Sequence, residues 1–207
     1  MNRLARLSAA LLCVAAVSCG TSTSLVQRWS DTAYVGEAGQ TMIIIALAKS
    51  ERNQKTWEGA FSNILREVKV KPIAGSTVLP SQGAADEATL KQAIRATGAN
   101  LAAVTRLVSV DKEQTYVPGS TYYSPAPAYY GFYGYYASSY AMVSTPGYYQ
   151  TDKIYSVETN VYDVKTEKLV WSGVTETINP ETGQDAAISI ATTIVDDMIA
   201  SKVIKTK

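Results

Sequence analysis

The stretch that most restricts the fold is an uninterrupted apolar run, Met42-Ile43-Ile44-Ile45-Ala46-Leu47-Ala48. Its length and its β-branched isoleucines predict a strand. No polar residue alternates through it, so both faces must be covered, as at the centre of an α/β sheet. The following residues supply the cover. Ser50 is placed to cap a helix, and Trp57, Phe61, Ile64, Leu65 and Val68 recur at helical spacing as one apolar stripe. Residues 68–73 and 77–79 predict a second short strand, interrupted by Pro72. Asp86 caps a second predicted helix with Leu90 and Ile94 inward and Gly98 as its stop. Residues 101–110 predict a third strand.

The last third carries a hairpin signal. Tyr155, Val157, Thr159 and Val161 alternate with Ser156, Glu158 and Asn160, the pattern of a half-buried strand. Residues 169–178 return after a turn at 163–168. A three-residue loop from Lys165 to Glu167 pairs Val161 with Trp171 and Val157 with Thr175, which puts Trp171 on the face of Tyr155 and Val157. Asn179-Pro180 ends the strand. A final helix from about Asp185 places Ala187, Ala191, Ile194, Val195 and Met198 on one side. The expected order is β-α-β-α-β-β-β-α, an α/β (α+β) mixed sheet packed with about three helices, most simply in two layers.

Between the third and fourth strands, residues 114–151 contain no charge, while eleven tyrosines fall between Tyr116 and Tyr149. Gly, Ser, Ala and Pro separate them. This composition builds no aliphatic core, so the segment reads as a Tyr-rich low-complexity insert. One reading is a poorly ordered loop. Another is a contact surface formed by Tyr122, Tyr123, Tyr129, Tyr130, Tyr133, Tyr135 and Tyr136, since tyrosine gives stiff, amphipathic contact area at low entropic cost. A third is insertion at a lipid interface, where tyrosine rings settle. Stacking on nucleic acid fits poorly, because no basic residue lies among the rings.

The N-terminus explains where such a domain would sit. Arg3 and Arg6 precede a charge-free apolar stretch, followed by Ala16-Val17-Ser18-Cys19-Gly20. The stretch falls short of the roughly 20 apolar residues of a membrane-spanning helix. The pattern resembles the lipobox of bacterial lipoproteins. That resemblance implies a signal peptide at 1–18 and a mature chain beginning at Cys19, which is diacylated, freed by cleavage and acylated again. Gly20 in place of Asp implies delivery to the outer membrane. Several acyl chains make attachment stable. Residues 19–27 are then a short lipidated tether, and 28–207 a single domain.

Removal of 1–18 takes Arg3, Arg6 and Cys13 with it, leaving 17 basic against 18 acidic residues, no thiol free of lipid and no histidine. A near-neutral chain offers no electrostatic case for nucleic acid. Triads that need an imidazole base are excluded, as are thiolate–imidazole metal sites. No phosphate-cradling glycine loop is present, and no cofactor or metal is expected. Carboxylates remain: Glu158 and Glu176 fall on one face of the hairpin, two residues out of register, a pair conceivable for glycoside hydrolysis. Asp196 and Asp197 read as a solvated helix face. Trp57 and Trp171 read as core, whereas Trp29 is placed to cap a groove.

Several segments together resemble a family of uncharacterised Gram-negative lipoproteins. They are Arg28-Trp29-Ser30-Asp31 with Tyr34 and Gly36, Val104-Thr105-Arg106-Leu107, Glu158-Thr159-Asn160-Val161-Tyr162-Asp163 and Lys168-Leu169-Val170-Trp171-Ser172-Gly173. A Tyr/Pro/Gly-rich insert before the hairpin belongs to the same pattern. The family turn has glycine where this chain has Glu167, and a left-handed backbone there would penalise any side chain. The resemblance implies the fold and the address but no catalytic residue. The combined expectation is a periplasm-facing outer-membrane lipoprotein, a non-enzymatic binding or assembly component with an envelope protein or glycan as partner, and with self-association possible. The alternatives are a carboxylate-dependent cell-wall hydrolase and an oligomeric protein that inserts into the membrane through the tyrosine insert.

Overall fold

The computed structural model describes residues 21–79, 86–119 and 147–206. Six strands and three helices follow in the order β1 (Ser22–Ser30), β2 (Thr41–Leu47), α1 (Glu51–Glu67), β3 (Lys71–Ala74), α2 (Glu87–Ala96), β4 (Leu101–Val117), β5 (Tyr148–Asp163), β6 (Leu169–Ile178) and α3 (Gly183–Ala200). They form one mixed sheet of order β1-β6-β5-β4-β2-β3. β2 runs parallel to β3 and β4, and the other neighbours are antiparallel. The expected element order is thus present, with one strand added at the N-terminus.

β2 is the central strand that its composition demands. Met42, Ile43 and Ile44 are all fully buried. Met42 and Ile44 join Leu101, Val157, Val161 and Trp171 beneath α1 and α3 to form the main core. Ile43 faces the other way, into a small cluster with Ala99, Ala102 and Ile94 of α2. Helix α2 buries no residue. The architecture is therefore two full layers with a partial third over the β2–β3 corner, because only that corner has apolar residues on its second face. Pro72 lies within β3, which is tolerable because β3 is an edge strand. Residues 77–79, expected to continue it, instead end a 3-10 turn at Gly75–Thr77 and its exit.

Helix ends follow the sequence. Ser50 accepts from the Asn53 amide, Asp86 from Thr89 and Thr182 from Asp185. Gly98 takes the left-handed conformation that stops α2. The hairpin pairs Val157 with Thr175 and Val161 with Trp171, as the three-residue loop predicts. Glu167 has φ of 60°. Two salt bridges from α2 hold it there, from Lys91 Nζ at 2.8 Å and Arg95 at 3.0 Å. The Lys91 ammonium, the stronger influence, and the Arg95 guanidinium keep the Glu167 carboxyl below the usual carboxylate range.

Two expected boundaries shift. Residues 19–27 were expected to be a tether, yet Ser22 to Gln27 lie in β1, paired along β6. The polar Ser-Thr-Ser start is compatible with an edge strand that has one covered side. Residues 114–151 were expected to lie outside the sheet, yet Gln114 to Val117 and Tyr148 to Thr151 are strand. Cys19 and the seven tyrosines from Tyr122 to Tyr136 lie outside the described residues.

Candidate binding surfaces

β4 and β5 outrun their neighbours. β2 pairs with β4 only as far as Arg106, and β6 with β5 only as far as Ile154. Beyond those rungs the two long strands continue alone as a two-stranded ribbon, ending at Tyr116 opposite Tyr149 and Val117 opposite Tyr148. The Tyr116 and Tyr149 rings lie 5.2 Å apart, tilted by 54°, the oblique packing that ring quadrupoles favour. Tyr116, Tyr148 and Tyr149 are all more than half exposed. They are the part of the tyrosine-rich segment that the structure places. The ribbon carries these three tyrosines away from the core.

The direction of the ribbon is fixed by register. β1 begins at Ser22 opposite Ile178, and Ile178 lies opposite Ile154, at the ribbon's root. The ribbon and the start of β1 therefore lie at the same end of the sheet. Six residues separate Ile154 from Tyr148, roughly 20 Å of strand. At that root Asp152 accepts from Gln150 at 2.9 Å and from Asn179 at 2.7 Å. Those two hydrogen bonds hold its carboxyl below the ordinary range.

A concavity of about 740 Å³ opens at the carboxyl end of β2 and the middle of β4, between the first turns of α1 and α3. Trp57, Asn53, Arg106, Tyr155 and Gln184 are among its lining residues. Helices α1 and α2 follow β2 and β3 on opposite faces of the sheet, so strand order reverses here, the position where open α/β sheets leave a crevice. Beneath the wall sits Glu58, only 1% exposed. Its carboxylate accepts from the Ser76 amide at 3.0 Å, from Gln54 Nε2 at 3.2 Å and from the Ala46 amide at 3.3 Å. It clamps α1 to the end of β2 and to the 3-10 turn. Sequence reading missed it, although Glu58 stands three and seven residues before Phe61 and Leu65 of the apolar stripe and so shares their face.

Glu158 and Glu176 share the sheet face away from α1 and α3, two residues out of register as expected. The Glu158 carboxylate is taken up by Arg106, across the strand pair, and accepts from Asn160 at 3.0 Å. Glu176 stands between Ser24 of β1 and Ser156 of β5.

Asp197 is not the solvated residue it was expected to be. Its carboxylate accepts from the Trp171 indole at 2.9 Å, from Arg28 at 3.0 Å and from Ser201 at 3.1 Å. The fully buried Trp171 needs a partner for its N–H, and α3 supplies one. Trp57 packs against the main core from its rim, while Trp29 is half exposed on β1. Asp31, Tyr34, Gly36 and Gly173 have local structural roles. Asp31 accepts from the Ala33 amide, and Tyr34 accepts from Gln40 at 3.1 Å. Gly36 passes so close to Val203 that an added Cβ would fall 2.2 Å from its carbonyl oxygen. Gly173 leaves room for the Trp171 ring, which would lie 2.4 Å from a Cβ there.

No family model matches the chain, and no curated protein matches it in sequence. Among solved structures it is similar to the PelC dodecamer from Paraburkholderia phytofirmans, at 12% identity, covering 89% of this chain and 100% of that one, with a TM-score of 0.46. It is also similar to lipoprotein GNA1162 from Neisseria meningitidis, at 11% identity, covering 78% and 98% of the two chains, with a TM-score of 0.38. At such identities neither assigns a role to any residue of this chain. No helix among the described residues is long and apolar enough to cross a membrane.

Proposed function

We propose that this is a lipid-anchored envelope protein, held through Cys19 at the periplasmic face of the outer membrane, that acts as a binding or assembly component and not as an enzyme. The observation that carries the reading is the ribbon. A domain that builds a two-stranded extension with three exposed tyrosines at its end spends strand length on presenting contact area, not on closing a cleft. Tyrosines so placed suit an envelope protein or a glycan, which both offer apolar faces beside hydrogen-bonding groups. The surroundings of Glu158 do not favour the hydrolase alternative, since a carboxylate engaged by arginine is poorly placed to deliver a proton.

Crosslinking in intact cells tests this. Replacing Tyr116, Tyr148 and Tyr149 together by alanine is expected to remove the crosslinked neighbours other than further copies of the chain, while leaving the protein in the membrane fraction. Cys19→Ala is expected to release it from the membrane. Unchanged neighbours in the triple variant would sink the contact role, and membrane retention of Cys19→Ala would sink the anchor.

The shared end of β1 and the ribbon favours a second reading of the same element. With Cys19 at the membrane, the three residues from Cys19 to Ser22 give at most about 11 Å of chain, less than the ribbon's roughly 20 Å reach. The tyrosine end then meets the lipid interface. Quenching of tyrosine fluorescence by brominated lipid in vesicles carrying the lipidated protein checks it; equal emission with and without bromine would count against it.

A further inference from the structure

The register of the ribbon sets like charges against each other. Lys112 lies directly opposite Lys153, and Glu113 directly opposite Asp152. Directly opposed residues share a face, so one face of the ribbon is basic. The other carries Glu113, Asp152 and, two residues along from Glu113, Asp111. Like pairs in this position destabilise a strand pair. None of the five residues takes part in a salt bridge among the described residues, and residues 114–151 contain no charge to neutralise them.

A bulge produces this arrangement. Leu107 pairs with Val157, but Ser109 pairs with Ser156, leaving Val108 as an extra residue. Without that shift the strands would set Asp111 against Lys153 and Lys112 against Asp152, two pairs of opposite sign. The folded ribbon forgoes both. Its two faces become single-signed and mutually complementary.

From this we infer that the ribbon docks on a second copy of the same chain, the basic face of one copy against the acidic face of the next. The occupant is selected by charge: each copy offers what the other lacks, and the forgone cross-strand pairs re-form between molecules. The basic side is that of α1 and α3, because Lys112 and Lys153 continue the face of Val110 and Tyr155. The tyrosines at the end take no part, so this contact stands or falls apart from the envelope partner and the lipid anchor.

The test is the oligomeric state of the full chain in detergent, by sedimentation over a concentration series at about 0.05 M and about 0.5 M salt. Wild type is expected to assemble at low salt and dissociate at high salt. The Lys112→Glu/Lys153→Glu variant is acidic on both faces, and Asp111→Lys/Glu113→Lys turns the acidic face predominantly basic. Each is expected to move the midpoint at least about tenfold higher in concentration. An equimolar mixture of the two is expected to assemble again, which also shows that both variants keep a folded ribbon. A wild type that stays monomeric, either variant assembling as wild type does, or a mixture that fails to assemble would overturn the proposal.

Discussion

Glu58 offers the sharpest test of how the parallel half of the sheet is held. Its carboxylate satisfies two backbone amides, Ala46 at the end of β2 and Ser76 in the 3-10 turn, besides Gln54. A buried side chain that merely packs can be exchanged for an apolar one of similar size at little cost. Here the partners are backbone groups and cannot be replaced with it. In Glu58→Leu both amides lose their acceptor, at about 1–3 kcal/mol each, offset in part by relief from burying a carboxylate. A net loss of about 2–4 kcal/mol follows. Glu58→Gln keeps one acceptor oxygen but turns an NH2 toward a donor, for a loss of about 1–3 kcal/mol. Urea denaturation followed by far-UV circular dichroism measures both, and hydrogen exchange locates the damage: the Ala46 and Ser76 amides are expected to exchange faster than their neighbours. If Glu58→Leu unfolds within about 0.5 kcal/mol of wild type, a margin typical of uninvolved surface positions, the clamp has been misread.

Gly173→Ala puts a methyl group where the Trp171 ring lies; a loss of about 1–3 kcal/mol and a red shift of tryptophan emission are expected. Glu167→Gly relieves a left-handed backbone but gives up the salt bridges to Lys91 and Arg95, so its melting temperature should stay near that of wild type, whereas Glu167→Ala keeps the strain, loses the ion pairs and should melt lower. Burial raises the Tyr34 phenol above its ordinary value, with the charge of Asp163 adding to the effect. Its contribution is therefore present below pH of about 10 and lost as pH rises through the folded-state value. The stability gap between wild type and Tyr34→Phe, measured by denaturation against pH, should be constant near neutrality and narrow as pH rises from about 10 through the folded-state value.

What could be read from the sequence was whatever depends on near neighbours. β2 announces itself because an apolar run without alternation has one solution. The β5–β6 register follows from a loop of countable length, and Ser50 and Asp86 cap helices through amides three residues away. What could not be read depends on distant partners. Ser22-Thr23-Ser24 looks like linker until β6 is known to lie beside it, with Thr23 and Thr177 hydroxyls 2.8 Å apart. Asp197 looks solvated until the Trp171 indole reaches it. The outer half of β4, Asp111-Lys112-Glu113-Gln114, has no apolar alternation at all. It is strand only because β5 pairs with it, and which charges meet is decided by one extra residue at Val108.

That extra residue also decides the symmetry of any self-contact through the ribbon. A two-fold axis would bring each face against its own kind, lysine on lysine or carboxylate on carboxylate, so charge rules out the isologous dimer. Docking must be head-to-tail. Stacked sheets sit about 10 Å apart, yet on the basic side each domain carries a helix layer roughly 10 Å thick above its sheet. Copies stacked without rotation would collide through α1 and α3 before their ribbons met. Each step must therefore rotate so that the domains fan outward while the ribbons converge. A head-to-tail contact with a fixed rotation either closes into a ring or winds into a filament. Lipid anchoring distinguishes these. If the start of β1 is tied to one membrane in every copy, a winding assembly would lift successive anchors out of it, and only the closed ring keeps them level. Electron microscopy of the detergent-solubilised wild type at low salt should show rings of uniform size; open filaments would mean that the rotation, the anchor or both have been assigned wrongly.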